Sequence, residues 1–333
     1  MEKIRFGIIG CSKIANRSTL PAIINSDFAE LEIIGSRDIE KAKKFANEFK
    51  CKNFGTYDDV IDEKNVDAVY ISVPTGLHQK WAEKAAKAGK HVLCEKSAVT
   101  SYSHAKEVIS IVKKNKTRIM ESFMFQFHPQ HIKVREIIAK EDFGKSFIFS
   151  GMYGFPPISK LDIRYNAKLG GGVLNETGCY PIYASRMIFD EEPISVSFNL
   201  FNDLKNNVDI KGHGSIEFSN GRKAFIGFSF ENQYQASYKI WGEKGIVELK
   251  RAYAVPPDFS PTIELVTLDK KSQIKIEPTD HFKNMIDVFC QEIQKNEEDS
   301  INFEEDLLNQ AKLLEAVRES SKKNTIINLS DIH

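Results

Sequence analysis

At 333 residues the chain exceeds one typical core, which predicts two domains, and 41% hydrophobic with 28% charged residues suits a globular protein with a large interior. Lys+Arg and Asp+Glu number 46 each, so no basic excess invites nucleic acid or an anionic membrane. The five cysteines are scattered without a C-x-x-C pair, which argues against a disulfide framework and a zinc site, and a strand predicted at the very start with no apolar run near the ~20 residues of a membrane span predicts a cytoplasmic chain.

The first stretch, Ile4 to Ala15 (IRFGIIGCSKIA), reads as an apolar strand, a tight turn and a helix start. Its Gly10-x-Ser12-x-x-Ala15 follows the G-x-G-x-x-G/A dinucleotide pattern with serine at the second glycine. Such a turn brings backbone N–H groups at a helix N-terminus to a pyrophosphate. Gly10, Cys11, Ser12, Lys13 and Ile14 are therefore cofactor-binding candidates, with the Ser12 hydroxyl a donor to phosphate. The helix from Lys13 meets Pro21, which should kink or restart it. A second strand, Leu31 to Gly35, ends in Ser36-Arg37-Asp38, where an acid would read the ribose 2′-hydroxyl and an arginine a 2′-phosphate. Asp38 reads as the N-cap of a helix over Ile39 to Phe49, which leaves Ser36 and Arg37 and favours NADP, with NAD the alternative.

The alternation continues through VDAVYISV (Val66 to Val73), a helix from His78 to Ala88, the strand HVLC and a helix from Tyr102 to Asn115. Unbroken apolar strands between amphipathic helices predict a doubly wound α/β domain over residues 1–120, its parallel sheet covered on both faces. Gly10–Ser12, Ser36–Arg37, Pro74–Thr75 and Glu95–Lys96 all fall at carboxyl ends of strands, so one rim of the sheet is the candidate site.

From about Glu121 the rhythm changes. SFMFQFHPQH leads into a helix from His131 to Ala139, and then alternating runs follow: SFIFSGMYGF, ISVSFNLF, HGSIEFSNG, KAFIGFSFE, SYKIWGEKGIVEL and TIELVTL. These, with turn signals such as Ser219-Asn220-Gly221, predict an α+β domain over 121–333 on a largely antiparallel sheet, closed by helices His281 to Lys295 and Phe303 to Lys322. Within it, DIRYNAKLGGGVLNETGCYPIYASR (Asp162 to Arg186) is rich in polar candidates. Arg164 is suited to a substrate anion, a nucleotide diphosphate included, and equally to an ion pair. His128 suits a sugar hydroxyl or a structural role, His131 and Lys168 are weaker candidates, and the three glycines read as scaffold. No His/Asp/Glu cluster has metal-ligand spacing.

GIIGCSKIA, VYISVPTGLH and AGKHVLCEKS, in this order, resemble the N-terminal half of the glucose–fructose oxidoreductase, inositol dehydrogenase and rhizopine-catabolism family (GFO/IDH/MocA). The resemblance implies that Lys96 lies beside the nicotinamide and the substrate, with Pro74, Thr75, His78 and Glu95 also at the cofactor; Ser97 stands where that family usually has proline. GGGVLNETGCY is similar to the family's GGG-x-L-x-D-x-G-x-H/Y segment, which puts its acid at Glu176 and its His/Tyr at Tyr180. Tyr180-Pro181 and FMFQFHPQ resemble the branch of nucleotide-sugar 3-ketoreductases and dihydrodiol or xylose dehydrogenases. The implied protein is an NADP-dependent oxidoreductase acting on a sugar, with a nucleotide-linked keto-sugar ahead of a free aldose or dihydrodiol, and a non-catalytic NADP sensor as the rival from another class. The resemblance further implies a homodimer or homotetramer through the second domain's sheet.

Reducing a carbonyl needs a hydride and a proton, and the cofactor supplies only the first. A free tyrosine, with a pKa near ~10, exchanges protons slowly at neutral pH unless a neighbouring ammonium favours its phenolate. Tyr180 and Lys96 are the expected catalytic pair if the two domains face one another, with His128, Arg164 and Glu176 as substrate-binding candidates.

Overall fold

The computed structural model describes residues 2–203, 205–295 and 300–333. The chain divides into two compact units, Met1–Met124 with Phe282–Ala311, and Phe125–His281 with Lys312–His333. Phe282–Ala311, which chain order groups with the second half, thus packs with the first unit.

In the first unit, six parallel strands are β1 (Ile4–Ile9), β2 (Ala29–Gly35), β3 (Asn53–Gly55), β4 (Ala68–Ile71), β5 (His91–Cys94) and β6 (Ile119–Glu121), in the order β3-β2-β1-β4-β5-β6. The order reverses between β1 and β4, which is where ligands of doubly wound sheets bind. All four residues of β4 are buried, as its unbroken apolar run requires with helices on both faces. Helix ends are fixed locally. Asp38 accepts from the N–H groups of Glu40 and Lys41, the N-cap expected from sequence, and Thr56 with Asp59 forms a capping box. Pro21 stands in the first turn of a helix over Leu20–Asn25, restarted after a π-helical turn at Ala15–Thr19.

The core under the sheet includes Ile9, Val69, Ile71, Val92, Ala85 and Val108, and also Leu307 and Ala311 from the helix Phe303–Lys323. A fully buried Val or Ile contributes about 1.5–3 kcal/mol. A hydrogen-bonded pair anchors that helix: Arg118 Nε meets Glu304 Oε1 at 2.9 Å, and the same oxygen accepts from Ile119 N–H at 2.9 Å.

In the second unit the strands are β7 (Ser146–Gly154), β8 (Ser195–Asp203), β9 (Val208–Glu217), β10 (Lys223–Ser229), β11 (Gln235–Gly242), β12 (Gly245–Leu249), β13 (Thr262–Thr267), β14 (Lys271–Lys275) and β15 (Ile327–Asn328). They form one sheet in the order β14-β13-β12-β11-β7-β10-β9-β8-β15, antiparallel except for the parallel pair β7/β10. Alternation sends Phe149, Ile226, Phe228, Tyr238 and Ile240 into the core. The helix Cys179–Phe189 covers that face, with Phe189 edge-on to Phe149 at 6.3 Å between ring centroids. Phe225 and Trp241 belong to the opposite face, where they are 46% and 55% exposed.

Candidate active site

In the first unit the site grows from the carboxyl ends of β1, β2, β4 and β5. Gly10 has φ +117°, and a Cβ there would lie 3.0 Å from the Ser72 carbonyl carbon, so only glycine lets the ends of β1 and β4 meet this closely. Ser72 Oγ donates to the Gly10 carbonyl at 2.8 Å across that contact. Ser12 Oγ accepts from Ala15 N–H at 3.0 Å, capping the turn with the oxygen while its own O–H is left to donate. Lys13 is exposed and Ile14 half-buried on the same turn. Cys11 is buried, and burial pushes its thiol up to about 11, which leaves it inert.

At the end of β2, Ser36 is buried and its Oγ accepts from Asp38 N–H at 3.1 Å, while Arg37 is exposed. The Asp38 carboxylate caps the next helix, so the strand end presents a guanidinium and a hydroxyl. Past β4 come Pro74 and Thr75, the latter opening a short 3-10 turn over Thr75–Leu77. His78 differs from an exposed cofactor ligand: it is 1% exposed, with Nδ1 at 2.8 Å from the Ser97 carbonyl and Nε2 at 2.7 Å from the Val73 carbonyl. It staples the Pro74–Thr75 turn to the segment that follows Lys96. The Lys96–Ser97 peptide bond is cis, and Lys96 is half-buried.

Sequence reasoning passed over Tyr70. Wholly buried on β4, it donates to Glu95 Oε1 at 2.6 Å and accepts from Thr19 Oγ1 at 3.0 Å. The chain of bonds links the helix after the Gly10 turn to the residue before Lys96. A tyrosine inside an otherwise apolar strand was the available signal, because a buried phenol needs a partner.

In the second unit, Glu176 lies in a π-helical turn, Leu174–Gly178, that leads into the helix Cys179–Phe189 bearing Tyr180. Such turns recur at functional sites. Tyr180 is 5% exposed, edge-on to Tyr153 at 5.1 Å and near Phe125 at 5.7 Å and Tyr253 at 5.8 Å between ring centroids. Arg164 joins Asp162 at 3.0 Å and Glu176 at 3.5 Å, so two substrate-binding candidates come together as an ion pair. Its loop is pinned by Lys160, which bridges Asp203 at 2.9 Å and Glu231 at 2.8 Å, and by Phe155 stacked on Phe230 at 5.1 Å.

His128 and His131 take structural positions. His128 is fully buried and its Nδ1 accepts from Gln130 N–H at 3.2 Å, capping the helix Pro129–Ile138. His131 is also buried, with Nδ1 at 2.8 Å from the Tyr238 hydroxyl and Nε2 at 2.9 Å from the Ala252 carbonyl. Lys168 is exposed. Among the described residues no helix is long and apolar enough to cross a membrane.

Comparison with known proteins places this geometry. Residues 4–123 match the oxidoreductase family with an NAD-binding Rossmann fold, and residues 131–248 match the GFO/IDH/MocA C-terminal domain. The chain is 32% identical over 319 residues to the dTDP-3,4-didehydro-2,6-dideoxy-alpha-D-glucose 3-reductase of Actinomadura kijaniata, covering 96% of each. It is 28% identical to the D-xylose 1-dehydrogenase (NADP(+)) 2 of Haloferax volcanii, covering 97% of this chain and 99% of that protein. The crystal structure of KijD10, a 3-ketoreductase from Actinomadura kijaniata in complex with NADP and TDP-benzene, superposes with a TM-score of 0.91 at 31% identity, covering 96% of this chain and 98% of that one. The chain belongs to the GFO/IDH/MocA family of oxidoreductases.

Proposed function

We propose that this oxidoreductase uses NADPH to reduce the keto group of a nucleotide-linked sugar. One observation carries the reading: likeness over nearly the full length to a 3-ketoreductase solved with NADP and TDP-benzene. The chain's own residues suit that cofactor. Arg37 is exposed and Asp38 is occupied as a helix cap, so the end of β2 offers a cation to a 2′-phosphate and no free carboxylate to a 2′-hydroxyl. Gly10, Cys11, Ser12, Lys13 and Ile14 would hold the pyrophosphate, Ser36 and Arg37 the 2′-phosphate, and Pro74, Thr75, Glu95 and Lys96 the nicotinamide end. His78 supports that rim from beneath.

The bound cofactor supplies the hydride. By the resemblance to the family, Tyr180 is the candidate to give the proton to the substrate oxygen during reduction and take it back in oxidation, and Lys96 the candidate to hydrogen-bond the substrate. Glu176, neutralised by Arg164, is the candidate for holding a neighbouring sugar hydroxyl; a diphosphate would compete with Glu176 and Asp162 for the guanidinium. A free aldose is the second reading, favoured by the similarity to a xylose dehydrogenase at 28% identity. The exposed Phe225 and Trp241 support a homodimer formed through the open sheet face, with a homotetramer as the larger assembly. Five free cysteines suit a reducing compartment, the cytoplasm.

The test is oxidation of NADPH, and in parallel NADH, against nucleotide-linked and free keto-sugars, beside NADP⁺ reduction with aldoses. Turnover confined to NADPH with a nucleotide-linked keto-sugar is the expected result. Turnover with D-xylose alone would establish the second reading, and a silent panel with tight NADPH binding would remove the first.

A further inference from the structure

We infer that Asp209, on β9, is a positioning residue for this reaction: its carboxylate caps, from another strand, the start of the helical segment that carries Glu176 and Tyr180. The inference rests on the assignment of the proton to Tyr180.

A helix start leaves four N–H groups without intrahelical partners. Here the sequence offers no local cap, because Gly171, Gly172 and Val173 lack a side-chain oxygen, and no side-chain cap is made at Val173. Asp209 fills that role at a distance of 35 residues in sequence. Its Oδ2 accepts from Leu174 N–H at 2.6 Å; burial pushes this carboxyl up, and the Leu174 N–H and the nearby Arg318 oppose that push.

The glycine triplet makes room for it. Gly172 has φ +123°, and a Cβ there would lie 2.3 Å from Asp209 Oδ1, so any side chain at this position would expel the carboxylate. A second anchor holds the next residue of the same turn. Arg318 Nη2, from the helix Phe303–Lys323, donates to Asn175 Oδ1 at 2.7 Å, and Asn175 Nδ2 donates to the Gly170 carbonyl at 3.2 Å. Leu174 and Asn175 are thus fixed from outside their own turn, immediately before Glu176 and six and five residues before Tyr180. Proton transfer tolerates little displacement, since a misplacement of ~1 Å costs about 10²-fold in rate.

The experiment compares Asp209→Ala, which removes the acceptor, with Asp209→Asn, which keeps its shape and one oxygen, in the full chain. Amide hydrogen exchange at Leu174 is read together with kcat, KM and NADPH affinity. Asp209→Ala should speed exchange at Leu174 and lower kcat, each about ten-fold, as expected for a lost helix cap, with KM and NADPH affinity within about two-fold; Asp209→Asn, which keeps an acceptor oxygen, should recover most of both. Unchanged exchange at Leu174 overturns the inference, as does a loss of kcat that merely follows the melting temperature across both variants. If the wild-type chain turns over no substrate, the reading under Proposed function has failed, and exchange at Leu174 in the two variants still decides whether Asp209 holds the turn.

Discussion

Tyr180 sits in a wall of aromatic rings from Phe125, Tyr153 and Tyr253, so replacing its hydroxyl by hydrogen leaves the packing in place. Tyr180→Phe should lower turnover by about 10²- to 10⁴-fold, the usual range for general acid–base help, with NADPH affinity unchanged in a fluorescence titration. Unchanged turnover would return Tyr180 to the role of a buried tyrosine. Tyr180, Lys96 and Glu176 were singled out by motifs that resemble the family's, because each stands inside one of them. Partners were not legible. That Arg164 meets Glu176 follows from a loop held by Lys160 and Phe155, and that His128 caps a helix follows from Pro129 opening that helix just after it.

At the scale of elements, three buried histidines, His128, His131 and His281, surround the entry to two helices. Burial pushes them down to about 4, about 3 and about 3, against an ordinary value near ~6.5. The unfolded chain therefore binds more protons between these values, so stability is full above the unfolded pKa and falls as pH drops below it. At pH 5 the penalty is about 2 kcal/mol for each histidine that stays neutral in the fold. Urea unfolding at pH 7 and pH 5 should show this loss, and His128→Asn, which retains a capping side chain, should reduce the proton uptake by about one. A flat profile would mean that these rings gain protons without unfolding.

The long apolar strands and amphipathic helices were readable because their periodicities extend over many residues. The short strands β3, β6, β14 and β15 were not, because they lack the apolar runs that mark the equally short β4 and β5 and are specified by their neighbours in the sheet. The parallel pairing of β7 with β10 within an otherwise antiparallel sheet likewise depends on topology.

For the whole molecule, the exposed aromatics Phe147, Phe225 and Trp241 on the nine-stranded sheet are the surface that the proposed homo-oligomer would cover. Phe147 packs edge-on against Trp241 at 5.9 Å, and Phe225 is exposed on the neighbouring region of the sheet. A stable interface buries about 1,200–2,000 Å² in total, and light scattering should show an oligomer that Phe225→Asp with Trp241→Asp converts to monomer. A monomeric wild type at micromolar concentration would end that proposal. The fold class and the glycine turn after β1 are written in contiguous residues, as hydrophobic period and local backbone demands, whereas Lys96, Glu176 and Tyr180 came forward through the motifs that resemble the family. Tertiary contacts bring Phe282–Ala311 back to the first unit, hold His78 against the Ser97 carbonyl and carry Asp209 to Leu174. Those contacts join residues far apart in the chain, and burial makes each buried polar group take whichever partner the fold brings within reach.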